Sequence, residues 1–270
     1  MTNTLLAERR FLVLQGTVRL WVVGAIHGDL EKTARLHQAL WPRLQPGDRL
    51  VYLGNVMGRD PRVAETIDEL LSFRRAVMTL EPAEPPQVGF LRGTQEEMWQ
   101  KLLQLQFATD PRGVLEWMLS QGVDGTLRAY GGNAEEARRA AGAGAVGIAR
   151  WTQGLRARMH AHPGHVAFMD HLRRAAMTRE GTLLCVHAGV DPGRPLETQR
   201  DTFWWGSPAF SRMQEPFANY RRVIRGYERS HPGIALEAFT ATVDGGCGFG
   251  GPLVAACFLP DGELVDQVSA

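Results

Sequence analysis

The stretch VVGAIHGDL, residues 22–30, reads as a buried strand that breaks into a loop and then opens a helix. Branched apolar residues, a glycine and a lone histidine at a strand's C-terminal edge mark where α/β proteins place metal ligands and catalytic groups. A site of that kind calls for a carboxylate beside His27, and the sequence supplies Ala25.

The neighbouring segments repeat the pattern. RLWVVGAI (19–26) is a near-continuous apolar run, as expected of a strand covered on both faces. After it, Leu30, Ala34, Leu36, Leu40 and Trp41 recur close to the helical period, with Asp29 placed to cap the helix and Pro42 to stop it. DRLVYLGN (48–55) and Pro61–Phe73 give a second strand and helix, and PPQVGFLRGTQEEMWQKLLQLQ (85–106) gives a third pair around a glycine turn. Between 110 and 180 the chain turns to Ala-, Arg- and Gly-rich helical segments with no convincing strand, an insert into the fold. Strands return with GTLLCVHAGVDP (181–192) and at 221–225, 237–243, 252–258 and 263–268, the last two joined by the tight-turn signal PDG. The expectation is a single α/β domain over 1–270 with a helical insert at 110–180.

Bulk properties narrow the function classes. A chain of 270 residues buries roughly three quarters of its unfolded surface as one domain. With 30 basic and 29 acidic residues the net charge is +1, which offers no field for nucleic acid or an anionic membrane. Cys185, Cys247 and Cys257 lack a CxxC spacing and lie in apolar or glycine-rich runs, the pattern of buried thiols in a reducing compartment. MTNTLLAERR carries charges where a signal peptide needs an apolar stretch, and no later run approaches membrane length, so a cytoplasmic location is expected.

Four strand ends carry polar loops, at 24–29, 54–60, 92–97 and 186–189, and such ends converge on one edge of an open sheet. The motifs there and beyond are GAIHG, LGNVMGR, LRGTQEE, LRAYGG, VHAGVDPGRPLETQRDTFWWG, VIRGY and TVDGGCGFGGPLVAACF. In that order, over residues 18–268, the chain resembles the calcineurin-like metallophosphoesterases, in particular bacterial serine/threonine phosphatases and diadenosine tetraphosphatases. Their signature runs GDxHG, GDxVDR, GNHE, HAG or HGG, GHT, and a closing Asp-x-Gly and Gly-Gly-x-Leu. The resemblance implies a two-sheet β-sandwich flanked by helices. It also implies metal-assisted phosphoester hydrolysis, in which two divalent ions about 3.5–4 Å apart share an Asp and a water.

Position by position, the resemblance gives an unusual donor set. His27 is kept, but Ala25 stands at an Asp ligand and Asn55 at the bridging Asp. Gly58 replaces the Asp that supports the catalytic His, and Arg59 keeps the family's phosphate-contacting Arg. Thr94 stands at an Asn ligand, Gln95 at the proton donor, and Tyr227 at the last His ligand, while His187 is kept in VHAG. An amide lends one carbonyl oxygen but cannot neutralise two cations. Asp29, Asp60 and His231 lie within a few positions of the missing groups, yet a one-residue shift points a side chain elsewhere.

These residues imply a pseudophosphatase, with no catalytic group and no metal expected, that binds a protein partner or a phosphorylated ligand without hydrolysis. Arg59, Arg92, His27, His187 and Asn55 are the candidate ligand-binding residues, Trp204 and Trp205 a stacking wall, and Arg221, Arg222 and Arg225 a further basic cluster. In the bland reading of the same residues, His27 and His187 are hydrogen-bonded core imidazoles and Arg59 pairs with Glu96 or Asp60. The enzymatic alternative is a weak, single-metal phosphoesterase using Mn, Fe or Zn held by His27, Asn55 and His187. A structural subunit of a larger assembly is a third reading.

Overall fold

A computed structural model describes residues 10–80 and 88–270. Residues 1–9 of the stretch read for targeting signals and residues 85–87 of the third strand's reading lie outside the described residues.

Alternation along the strands builds two layers. In β1 (Phe11–Leu14) and β2 (Arg19–Val23), as in β3 (Asp48–Tyr52), successive side chains point to opposite faces. Leu20 and Val22 of β2 meet Val51 of β3, and on the other sheet Cys185, Ile224 and Val243, in the seam between the sheets. Trp21, Val23, Leu50 and Tyr52 face the opposite way, onto Leu36, Leu40, Ile67 and Leu70 of the covering helices. Each fully buried Val, Leu or Ile on these faces contributes about 1.5–3 kcal/mol relative to exposure. A one-residue slip of register would exchange the two faces.

The helices follow from capping and stripe. Helix α1 (Leu30–Leu40) starts where the Asp29 carboxylate accepts the Lys32 N–H at 3.0 Å. Helix α2 (Val63–Val77) buries Val63, Ile67, Leu70, Phe73 and Val77 along one face. It runs a turn past the expected end at Phe73 because Val77 continues that stripe, with Arg74 and Arg75 set against the C-terminal dipole. Strand β4 (Val88–Phe90) and helix α3 (Thr94–Leu102) complete the third unit.

The insert holds α4 (Pro111–Ser120), α5 (Val123–Ala129), α6 (Ala134–Gly142), α7 (Gly144–His160) and α8 (His165–His171). Its Leu115, Met118, Leu127, Ile148, Leu155 and Phe168 join the same apolar cluster as Trp21 and Tyr52, so the insert extends the helical face of the core. The expectation of no strand up to residue 180 is corrected by β5 (Ala175–Thr178), whose sequence AAMT lacks β-branched residues until its end. Its neighbours hold it: it pairs parallel to β1 and antiparallel to β6 (Leu183–Val186).

A short helix α9 (Thr202–Trp205) precedes β7 (Arg222–Arg225), β8 (Gly233–Leu236), β9 (Thr240–Asp244), β10 (Val254–Phe258) and β11 (Leu264–Ser269). Sequence reading missed β1 and β8. One sheet runs β1-β5-β6-β7-β9-β8 and the other β11-β10-β2-β3-β4. With β2, β3 and β4 parallel, their C-terminal ends lie along one edge. Among the described residues no helix is long and apolar enough to cross a membrane, and all three cysteines are buried free thiols.

Candidate functional site

The strand ends do converge, on a cavity of about 470 Å³ lined by His27, Asn55, Arg59, Thr94, Gln95 and Ala188 from the four polar loops. The loops after β2 and β3 are bonded to each other: the Ile26 and His27 N–H groups both reach Asn55 O, and the Gly28 N–H reaches Val56 O. His27 and Asn55 adopt left-handed backbone conformations, φ 57° and 52°. A non-glycine residue held there costs about 1–3 kcal/mol and persists where its surroundings impose it.

Glu96 is the clamp. Its fully buried carboxylate accepts the N–H groups of Asn55 (3.0 Å), Met57 (2.8 Å) and Gly93 (2.7 Å). Burial raises its pKa, and the three N–H bonds work against that rise. The insert secures the loop from the other side. A Cβ at Gly125 would lie 2.2 Å from Gly58 O and 2.4 Å from Arg59 O, so only glycine lets helix α5 approach that closely.

The two histidines are each held through one ring nitrogen. Asn55 Oδ1 accepts the Gln95 N–H at 2.9 Å, which turns the Asn55 amide nitrogen toward His27 Nε2 at 3.4 Å. His27 Nδ1 is buried without a partner, and a side chain at Gly58 would begin 2.7 Å from it. Burial, with the Arg59 charge adding to it, pulls the His27 pKa down to about 3. His187 Nδ1 donates to Leu53 O at 2.8 Å, while its Nε2 faces the Thr94 hydroxyl at 3.1 Å. Burial lowers the His187 pKa to about 4. Tyr227 stacks on His187 with centroids 5.5 Å apart, and burial raises its pKa, so it stays a neutral phenol.

The groups considered as shifted replacements are engaged elsewhere. Asp29 caps α1 and pairs with Lys32 at 2.8 Å. Asp60 pairs with Arg62, and His231 Nδ1 bonds the buried Asp244 at 2.9 Å.

Arg59 takes neither anticipated ion pair, since Glu96 is filled by backbone N–H groups and Asp60 by Arg62. Its guanidinium lies 4.1 Å over the Phe249 ring, and its Nε is buried without a partner. Arg225 reaches the cavity as well, bonded to Thr242 and Ser211 and resting on the Phe210 ring, with burial lowering its pKa. Arg92 does not reach it; that side chain bonds Glu97 and Gln100 and lines a different hollow. Arg222 turns to the carbonyls of Gly262, Glu237 and Thr240. Trp204 is almost wholly buried, whereas Trp205 is 45% exposed and lies 5.5 Å from Trp117 of the insert. Among the described residues lining the cavity, Glu228 is the single carboxylate, against Arg59, Arg225 and Arg229. Sequence reading missed Trp117, Arg229 and Phe249, because nothing in the local pattern says which insert helix or late loop returns to the strand ends.

The two-sheet sandwich flanked by helices is a metallophosphoesterase-like fold. Among solved structures, the chain is similar to a protein assigned as a diadenosine tetraphosphatase, at 18% identity over 97% of this chain and 98% of that one, TM-score 0.57. It is also similar to a serine/threonine phosphatase from Saccharomyces cerevisiae with similarity to human phosphatase PP5, at 15% identity over 96% and 79%, TM-score 0.51. At these identities the likeness establishes the fold alone. No protein-family model and no curated protein sequence matches the chain.

Proposed function

We propose that the strand-end cavity binds a phosphorylated ligand and does not hydrolyse it. The observation that carries this reading is the charge of the site. Two arginines without a carboxylate partner, Arg59 and Arg225, face a cavity whose ligand-type positions hold only neutral groups.

The donor set does not fit a dinuclear centre. Ala25 has no lone pair, Asn55 Oδ1 is taken by the Gln95 N–H, and Tyr227 stays protonated. His187 Nδ1 donates to Leu53 O, and its Nε2 lies 3.1 Å from the Thr94 hydroxyl, whose own proton goes to Trp204 O, so His187 offers at most one neutral donor atom. Two divalent cations need anionic ligands to offset their mutual repulsion, and beside Arg59 they would find none at these positions. The proton-donor position holds Gln95, whose side chain donates to Gln121 O at 2.8 Å and has no proton to transfer near neutral pH.

What remains suits an anion. Each Arg–phosphate contact is a charge-assisted hydrogen bond contributing about 1.5–3 kcal/mol, and Trp205 with Trp117, their rings tilted by 52°, offers an aromatic corner beside it.

The test is calorimetric titration with inorganic phosphate and with a phosphopeptide, repeated on Arg59→Ala, alongside an assay of p-nitrophenyl phosphate hydrolysis with manganese. The reading expects binding weakened at least tenfold by the substitution and no turnover. Equal binding by both proteins, or binding by neither, would make Arg59 a packing residue on Phe249. The single-metal phosphoesterase reading draws on the unpartnered His27 Nδ1; manganese-dependent turnover that His27→Ala abolishes would favour it. Phe107 and Val146 are exposed apolar residues of the insert region, but Trp117 there already lines the cavity, which favours ligand binding over a purely structural role.

A further inference from the structure

A second cluster of donors lies where the insert meets α2, away from the strand ends. Asp68 of α2, His162 in the turn after α7 and His165 at the start of α8 each offer one ligand atom, all within 4.8 Å of one another. His165 is fully buried, His162 half-buried and Asp68 exposed.

His165 is held in place through both ring nitrogens. Its Nδ1 lies 2.8 Å from the hydroxyl of the buried Tyr130, and its Nε2 lies 3.2 Å from Asp68 Oδ1. The His162 ring stacks on His165 with centroids 4.9 Å apart and packs edge-on to Tyr130 at 5.6 Å. An imidazole lone pair and a carboxylate oxygen this close repel each other unless a proton or a cation lies between them. The Tyr130 hydroxyl either donates to Nδ1, with Nε2–H on Asp68, or accepts from Nδ1–H, in which case the Nε2 lone pair faces Asp68 and a cation takes the place of the proton between them. A hydrogen bond from the remote ring nitrogen is how metal-bound histidines are oriented.

We propose that Asp68, His162 and His165 form a mononuclear site for a divalent cation of the zinc class, which ties the insert to α2. Two imidazoles and one carboxylate match the donor preference of zinc, with a fourth position left to water. Magnesium and calcium prefer oxygen ligands throughout and are poor matches. Asp68 and His165 lie 97 residues apart, so the bound ion closes a long loop in the folded chain, where a cross-link removes most chain entropy from the unfolded state. The spacing His-Pro-Gly-His at 162–165 is the sequence signal for this pair. It lies outside every phosphoesterase motif, which is why the motif reading passed over it.

The test uses the intact protein, stripped of metal and titrated with zinc in competition with a chromophoric chelator. The site predicts one tightly bound equivalent, an affinity reduced at least tenfold by Asp68→Asn and by His162→Ala, and no change in His160→Ala, an exposed histidine of α7 outside the cluster. Zinc, but not magnesium, raises the melting temperature of the wild type and of His160→Ala by several degrees, and leaves the two site variants where they were. X-ray absorption of the zinc-loaded wild type, with two imidazole shells, checks the ligands without any substitution. No stoichiometric zinc, or zinc retained equally by both site variants, overturns the proposal in favour of a proton shared between His165 and Asp68. Zinc lost in His27→Ala but kept in His162→Ala overturns it too, and overturns the metal-free reading of the strand ends with it.

Discussion

The strand-end cavity and the Asp68–His162–His165 junction use the same kind of side chain in opposite ways. In the cavity, His27 and His187 sit in the strand-end loops, where His27 Nε2, His187 Nδ1 and His187 Nε2 face Asn55, Leu53 and Thr94, His27 Nδ1 has no partner, and the nearest charge is Arg59. At the junction, His165 sits between the insert and α2, and its Nε2 faces a carboxylate with a second imidazole stacked beside it. On the two proposals above, the sign of the neighbouring charge separates the regions, a cation beside the cavity histidines and a carboxylate beside those of the junction.

The most damaging way to probe that contrast is to release the clamp that shapes the first region. Glu96→Ala leaves up to three buried N–H groups without acceptors, at about 1–3 kcal/mol each, so a loss on the order of 3–5 kcal/mol is expected in urea denaturation. The junction contains none of those groups, so zinc binding survives in whatever fraction stays folded. A loss below about 1 kcal/mol would mean that the loops hold their left-handed turns without Glu96.

Lowering the pH separates the regions next. His27 and His187 have pKa values pushed down to about 3 and about 4 by burial. Their stabilising effect is therefore complete above the unfolded value near 6.5 and is lost as pH falls below it, because the unfolded chain takes up protons that the folded one refuses. Each group costs about 1.4 kcal/mol per pH unit between 6.5 and its folded pKa. Denaturant titrations at pH 7, 6 and 5 should show a steepening loss of stability in metal-free protein. Zinc stabilisation at the junction fades over the same range because protons compete for its imidazoles. A flat profile from pH 7 to 5 would mean that His27 and His187 carry protons in the folded state.

The smallest effect concerns the loop's exit. Asp29→Ala removes the cap of α1 and should cost about 1 kcal/mol without altering phosphate or zinc binding, as befits a carboxylate engaged by Lys32. A loss of metal or phosphate affinity in this variant would make Asp29 a ligand of the strand-end site.

Much of this arrangement was legible in the chain. The alternation of Leu20, Trp21, Val22 and Val23 and the stripe of Val63, Ile67 and Leu70 fix β2 and α2, because burial rewards one periodicity in each. Strand β5 was illegible because AAMT has no strand preference of its own and is held by β1 and β6. At the site, the identities of Ala25, Asn55, Gly58, Thr94, Gln95 and Tyr227 could be read directly. That Arg59 would have no acid partner, and that Arg92 would turn to Glu97 and Gln100, could not be read, since these depend on which donors reach Glu96 first. The contribution of Trp117 depends on how the insert folds back, which no local pattern encodes.

The most direct measurement is anomalous X-ray diffraction, at the manganese, iron and zinc edges, from crystals grown with all three metals. The account predicts one peak, zinc, between Asp68, His162 and His165, and no peak between His27 and His187. A pair of peaks about 3.5–4 Å apart at the strand ends, the spacing of two-metal phosphoesterase centres, would contradict it.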